Sequence, residues 1–210
     1  MVQTLPAKEI TLAQLNATFK LDRVDDEQFF TEWQDHSVEL TDLEKQTLDE
    51  VKANYIHLSE YPLLESLVKL VVLSPLLKIA GFYRPPFYIG VEKEIELLSE
   101  DEGTLVRGRI DVLIFQPQFW VLVIEAKRTQ YSLDAAIPQA LLYMLANPDI
   151  ERPAFGFVTN GREFQFIKLI TQNPPKYALS YTLSLNRGND LYTVASSLKH
   201  LAQLATQPRT

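Results

Sequence analysis

The feature that most constrains this chain is an apolar run at residues 119–124, Phe-Trp-Val-Leu-Val-Ile, which carries no charged side chain on either face. A strand that is apolar on both faces lies inside a sheet with layers on both sides. Glu125, Ala126 and Lys127 follow the run directly, so a carboxylate and an ammonium two residues apart share one face of the sheet. The sequence therefore predicts a central strand that ends in charged side chains.

Hydrophobic spacing predicts the elements around this strand. Helices are expected around residues 28–33, at 43–58, at 62–80 before Gly81, at 133–146 and from 191 onward. Strands are expected at 88–98, 104–115, 155–159, 163–169 and 177–185, with turns at 99–103, 116–118 and 160–161. This order predicts an α/β fold with a helical N-terminal extension at 1–61, a core at 62–170, and a strand and helix at 171–210 that pack on the core.

Charge is unevenly distributed along the chain, whose net charge is −7. Residues 1–102 hold nine basic and twenty acidic side chains, whereas residues 103–170 hold seven and six. The acidic N-terminal part is typical of a solvated helical face, and it would equally suit a partner protein. Because the remainder is nearly neutral, charge neither requires nor excludes a DNA partner.

Composition excludes several classes of protein. The chain has no cysteine and three scattered histidines, which rules out disulfides, cysteine-ligated metals and thiol catalysis. The most apolar stretch, residues 63–82, contains three charged residues and a proline, so it does not resemble a membrane span. The first 20 residues lack the pattern of a signal peptide. A cytoplasmic protein without membrane contact is therefore expected.

The predicted hairpin brings a second acid to the charged strand end. If residues 116–118 form its turn, Asp111 lies opposite Glu125, and two like charges so close need compensation. Mg²⁺ or Mn²⁺ would provide it, with both carboxylates and the Ala126 carbonyl as ligands and with Lys127 available to orient water. The bare spacing equally suits an ion pair between Glu125 and Lys127 beside an exposed Asp111.

Neighbouring polar side chains could extend this site. Gln139 and Tyr143 are four residues apart and share one face of the following helix, although a core tyrosine and a solvated glutamine would have the same spacing. Glu65 could face the sheet as a further ligand or could face water in a first helical turn. Arg107 and Arg109 could contact phosphates or could be solubilising charges on an exposed strand.

Together these residues resemble the PD-(D/E)XK nuclease superfamily, and more closely the N-terminal nuclease domain of type I restriction enzyme R subunits. The motifs that carry the resemblance are Glu65, Gly-Arg-Ile-Asp at 108–111, Glu-Ala-Lys at 125–127, Gln-x-x-x-Tyr at 139–143, and the segments 74–82 and 155–164. The resemblance covers about residues 62–170. Ile110 replaces the proline of the superfamily's name, at a position without a chemical role.

The resemblance implies a restriction-endonuclease-like αβββαβ core with a mixed central sheet. It implies Asp111 and Glu125 as metal ligands, Lys127 as the catalytic lysine, Glu65 as an auxiliary acid, and Gln139 and Tyr143 as supporting or DNA-contacting residues. The chain has no Gly-x-x-x-x-Gly-Lys-Ser/Thr phosphate loop, so we expect a free-standing nuclease-like domain without a translocase motor.

Two functional hypotheses follow. The first is a Mg²⁺-dependent DNA endonuclease that hydrolyses phosphodiesters. The second is a non-catalytic module on the same fold that binds DNA, or a partner protein through its acidic N-terminal segment. The oligomeric state stays open, and a homodimer is compatible with either hypothesis.

Overall fold

The computed structural model describes residues 3–34, 38–98, 104–117, 119–172 and 174–207. The predicted turn at 99–103 and Gln118 of the turn at 116–118 lie outside the described residues. The described strands are β1 (Gln3–Pro6), β2 (Asp22–Arg23), β3 (Tyr88–Leu98), β4 (Thr104–Gln116), β5 (Phe119–Ala126), β6 (Ala154–Thr159), β7 (Glu163–Ile170), β8 (Lys176–Leu179) and β9 (Leu183–Ser184). The α-helices are α1 (Leu12–Phe19), α2 (Asp42–Leu58), α3 (Glu65–Val68), α4 (Ser74–Ala80), α5 (Ile137–Leu145) and α6 (Asp190–Thr206).

These strands form one mixed sheet in the order β1-β4-β5-β6-β7-β8-β2, with β3 also paired to β4 and β9 to β7. The hairpins β3-β4-β5 and β6-β7-β8 are antiparallel, whereas β5 and β6 are parallel. Helix α5 makes the crossover between β5 and β6. The order from α3 to β6 therefore confirms the expected αβββαβ core with a mixed central sheet.

Two apolar layers enclose this sheet, as the composition of β5 requires. Helices α2, α4 and α6 pack on one face through residues such as Val51, Leu76 and Leu198. Helices α1 and α5 pack on the other face through residues such as Leu15 and Leu141. From Val121 to its end, every β5 residue is buried, which confirms its predicted central place. No helix within the described ranges is long and apolar enough to cross a bilayer.

The helix predicted at 62–80 begins at Glu65 and includes a π-helical turn. Its α-helical segments α3 and α4 are joined by the π turn Lys69–Leu73, and Gly81 ends it with a φ of 87°. A left-handed conformation at that point favours glycine, since glycine has no Cβ. The π turn begins with Lys69, whose ammonium contacts Asp111 of β4 at 2.8 Å.

The N-terminal extension contains helices, as expected, but it also adds strands β1 and β2 to the sheet. The helix predicted around residues 28–33 was wrong, because the segment forms turns. The Lys168 ammonium contacts the Phe29 carbonyl at 2.8 Å and the Glu32 carboxylate at 2.6 Å, which holds this segment against β7. The strand predicted at 177–185 is divided into β8 and β9.

Two strands, β1 and β5, pair with the same edge of β4 and leave a gap between them. Strand β3 pairs with β4 from Leu98 to Tyr88, so β1 and β5 must both lie along the opposite edge. Strand β1 pairs with residues 104–107 and β5 with residues 112–116. We call the four intervening residues, 108–111, the fork. Because Val112 pairs with Ile124, Asp111 and Glu125 are the next facing positions, which confirms the predicted hairpin register.

Candidate active site

Side chains complete the hydrogen bonding of the backbone in the fork. The Arg109 amide donates to the Tyr143 hydroxyl at 3.1 Å, and the Asp111 amide donates to Glu125 Oε1 at 3.3 Å. Buried amides without a partner strand need another acceptor, since an unpaired buried N–H costs about 1–3 kcal/mol. The fork therefore brings polar side chains of β5 and α5 onto the edge of β4.

Gly108 permits this arrangement. A Cβ at this position would lie 2.5 Å from the Ala7 side chain and 2.6 Å from the ring of Tyr143. Non-bonded atoms do not approach this closely, so any other residue would displace Ala7, which directly follows β1, or Tyr143. Gly108 thus allows the tyrosine to approach the backbone of the fork.

Asp111 lies at the centre of the site and is 8% exposed. Its Oδ2 accepts a hydrogen bond of 2.9 Å from the Ala126 amide, and its Oδ1 accepts one of 2.8 Å from the Lys69 ammonium. The predicted pairing of Asp111 with the end of β5 is therefore direct. The contact that the structure shows for Ala126 is through its amide, and a role for its carbonyl stays a prediction.

Glu125 is fully buried, with an exposed fraction of 0%. Burial raises the pKa of Glu125 to about 8, and repulsion from Asp111 adds to the rise. The Lys127 ammonium, 3.3 Å from Glu125 Oε2, offsets part of that cost. Two carboxylates this close in a buried place repel each other, so positive charge beside them stabilises their ionised forms.

A hydrogen-bonded chain runs from Lys127 to the fork. The Lys127 ammonium donates to Gln139 Oε1 at 2.8 Å, and Gln139 Nε2 donates to the Tyr143 hydroxyl at 2.8 Å. Gln139 and Tyr143 are both buried, so the glutamine is not solvated, and the tyrosine is a core residue that also bonds within the site. The burial of Tyr143 raises the pKa of its hydroxyl, as does repulsion from Glu125.

Lys69 is a site residue that the sequence analysis did not identify. Its ammonium lies 2.8 Å from Asp111 Oδ1, 3.0 Å from Glu65 Oε1 and 3.5 Å from Glu92 Oε1. Burial opposes the charge of Lys69, but the hydrogen bond and attraction to Asp111, followed by those to Glu65, raise its pKa above the usual value. Glu65 therefore joins the site, and it reaches Asp111 through the Lys69 ammonium.

Arg107 and Arg109 are both paired with glutamates of β3. The Arg107 guanidinium lies 2.8 Å from Glu96, and that of Arg109 lies 3.0 Å from Glu94 and 3.6 Å from Glu92. These exposed pairs are worth about 1 kcal/mol or less each, so a phosphate could displace the glutamates at low cost.

A cavity of about 930 Å³ opens at the fork. Its lining includes Asp111, Lys127, Glu65 and both arginines, together with Lys8, which follows β1. Of the four cations in this lining, Lys8 alone has no carboxylate at ion-pair distance in the part of the chain that the structure describes. The N-terminal segment thus forms one wall of the cavity and adds a cation that the sequence did not indicate.

The donor set fits a hard divalent cation. Asp111 and Glu125 offer carboxylate oxygens, the ligands that Mg²⁺ and Mn²⁺ prefer. Among the described residues, no three His, Cys, Asp or Glu side chains converge closely enough to hold an ion by themselves. An ion bound here would therefore depend on two carboxylates completed by backbone oxygen and water.

Comparisons with known proteins identify the family of the chain. Residues 30–174 match the family model described as "Type I restriction enzyme R protein N terminus", which extends the motif-based range of 62–170 in both directions. A search of curated proteins gave no match.

Among solved structures, the chain is similar to a fragment described as an HsdR subunit of a type I restriction enzyme from Vibrio vulnificus YJ016. The two share 24% identity with a TM-score of 0.39, over 50% of this chain and 21% of that chain. This chain thus spans about a fifth of the length of the Vibrio vulnificus chain.

The family model matches more than half of this chain. The chain therefore belongs to the family of type I restriction enzyme R protein N termini.

Proposed function

We propose that this protein is a Mg²⁺-dependent DNA endonuclease that hydrolyses phosphodiester bonds. The observation that carries the proposal is the convergence of Asp111, Glu125 and Lys127 where the end of β5 meets the fork of β4, beside an open cavity. Membership in a family of restriction enzyme R protein N termini supports a nuclease-type function. DNA as the substrate and Mg²⁺ or Mn²⁺ as the cofactor are part of the proposal.

The residues have distinct roles in the proposed reaction. Asp111 and Glu125 would hold a divalent ion, which would polarise the scissile phosphate as a Lewis acid. Lys127 lies within reach of the same cavity, where its ammonium orients the attacking water and stabilises negative charge on the phosphate oxygens. Gln139 keeps that ammonium in place, since its side-chain oxygen accepts the hydrogen bond from Lys127.

The cavity wall favours contact with a polyanion. The exposed pairs of Arg107 and Arg109 with β3 exchange readily for phosphate contacts, and Lys8 is already free of a carboxylate partner among the described residues. Contacts of this kind are not specific to base sequence, because they address the DNA backbone.

Cleavage assays test the proposal. Duplex, single-stranded and branched DNA are incubated with Mg²⁺, Mn²⁺ or EDTA and with wild type, Asp111→Ala or Lys127→Ala protein. We expect cleavage by the wild type in either metal and none in EDTA, and no cleavage by the two variants. Lys45→Ala, which removes an exposed lysine of α2, is the matched control and should cleave as the wild type does.

Two results would contradict the proposal. Cleavage that persists in Asp111→Ala and Lys127→Ala would come from another site or from a contaminant. DNA binding without cleavage in either metal would instead support a non-catalytic binding module on this fold.

A further inference from the structure

We propose that the Lys69 ammonium takes the place of a second divalent cation and limits the site to one bound ion. This inference rests on the proposed function, because it concerns the metal that Asp111 and Glu125 would hold. Lys69 acts as a positioning residue: it holds Asp111 and Glu65 and contacts no reacting atom.

The contacts of Lys69 are those of a bound cation. Its ammonium lies between Asp111 and Glu65, at 2.8 and 3.0 Å, with Glu92 at 3.5 Å on a third side. Mg²⁺ binds carboxylate oxygens at about 2.0–2.1 Å, so the Asp111 and Glu65 oxygens would need to close by about 1 Å or less, and the Glu92 oxygen by about 1.5 Å, to bind an ion in the ammonium's place. The only carboxylates within ion-pair distance of Lys69 in the described chain are these three.

The backbone on both sides of Lys69 is unusual. Lys69 begins the π turn Lys69–Leu73, a local widening of the helix that is often found at functional sites. Glu92, on the edge strand opposite Asp111, has a φ of 54°, a conformation that non-glycine residues rarely adopt. The two irregular residues contact each other, since the Lys69 ammonium lies 3.5 Å from Glu92, and the same ammonium contacts Asp111.

Charge repulsion favours the same conclusion. Glu65, Asp111 and Glu125 carry three negative charges when ionised, and Glu92 is shared with Arg109 at 3.6 Å. With Lys69 and Lys127 both charged, one divalent ion brings this group to +1 and a second ion would bring it to +3. Without Lys69, one ion makes the group neutral, so a second ion meets less repulsion than it would beside the ammonium.

The number of bound Mn²⁺ ions tests this inference without any cleavage. Electron paramagnetic resonance of free Mn²⁺ measures the ions bound per chain in the full-length protein. We expect one ion for the wild type, two for Lys69→Met, which removes the charge but keeps the side-chain length, and one again for Lys69→Arg. The double variant Lys69→Met with Glu65→Gln should return to one ion, because it loses a ligand of the added site.

Each outcome decides the question. Two ions in the wild type, or one ion in a folded Lys69→Met protein, would overturn the role of Lys69 while leaving the proposed nuclease site intact. No bound ion in the wild type would overturn the proposed metal site as well. If Lys69→Met does not fold in EDTA, Lys69→Gln, which also removes the charge but can still hydrogen-bond to the carboxylates, is measured in its place and should bind two ions. Glu65→Gln should bind one ion as the wild type does, and binding of none by this variant would show that Glu65 is a ligand of that ion.

Discussion

Substitution of Glu125 by glutamine should change how the stability of the metal-free protein depends on pH. The pKa of Glu125 is raised from 4.5 to about 8 in the folded state. An acid whose pKa is raised by folding contributes stability below its unfolded pKa, and that contribution is lost as pH rises through the folded pKa. The free energy of unfolding of the wild type should therefore decrease as the pH rises from 4.5 to about 8.

The magnitude follows from the size of the shift. One pKa unit corresponds to 1.36 kcal/mol, so the full difference is about 5 kcal/mol, of which about 3 kcal/mol falls between about pH 5.5 and about pH 9. Glu125→Gln cannot ionise and keeps nearly the same shape. Relative to the wild type, this variant should thus become more stable by about 3 kcal/mol across that range.

Urea unfolding in EDTA at several pH values measures this difference. Glu96→Gln, which removes an exposed carboxylate from β3, is the matched control and should follow the wild type. Added Mg²⁺ should stabilise the wild type at high pH more than Glu125→Gln, since the ion binds the ionised carboxylate. If the stability difference between Glu125→Gln and wild type does not change with pH, the pKa of Glu125 is not raised in the folded state and the reasoning is refuted.

Four further substitutions test other parts of the site. Gly108→Ala should lower the free energy of unfolding by about 1–3 kcal/mol, because its Cβ would overlap Tyr143, and an unchanged melting temperature would contradict this packing. Tyr143→Phe should cost about 1–3 kcal/mol in the same assay, since it leaves the Arg109 amide without an acceptor, whereas a neutral effect would make the residue plain core. Gln139→Ala should lower the cleavage rate by about 10- to 100-fold with DNA affinity unchanged, and wild-type cleavage would remove its supporting role. Lys8→Ala should weaken DNA binding and reduce the slope of log Kd against log salt concentration by about one. Fluorescence anisotropy measures this slope with Lys20→Ala as the control, and equal slopes for the two variants would contradict a phosphate contact of Lys8.

Local pattern was sufficient to predict part of the site. The alternation of β4 and β5 about a short turn placed Asp111 opposite Glu125, and the observed register agrees. Helical spacing placed Gln139 and Tyr143 on one face of α5, where they form one hydrogen-bonded chain. These relations depend on residues close in sequence, whose geometry is set by the strand and helix periods.

The parts that were not predicted depend on distant contacts. Lys69 is separated from Asp111 by 42 positions, and within an apolar helix its charge indicated only that the helix does not span a membrane. Strand β1 is four residues long and pairs with β4 residues 101 positions further along the chain, so no local period indicates it. For the same reason Gly108 showed no role, because the neighbours that exclude a side chain there, Ala7 and Tyr143, are both remote in sequence.

The fork places two backbone amides of the sheet in direct contact with the chemical groups of the site. The Arg109 amide bonds to the tyrosine of the Lys127 chain, and the Asp111 amide bonds to the glutamate that would bind the ion. Their proton chemical shifts should thus respond to ionisation and to ligand at the carboxylates, whereas an amide within an ordinary ladder senses only the neighbouring strand. Two nuclear magnetic resonance signals from unsubstituted protein could then follow the state of the site, without a bound dye or a cleavage product.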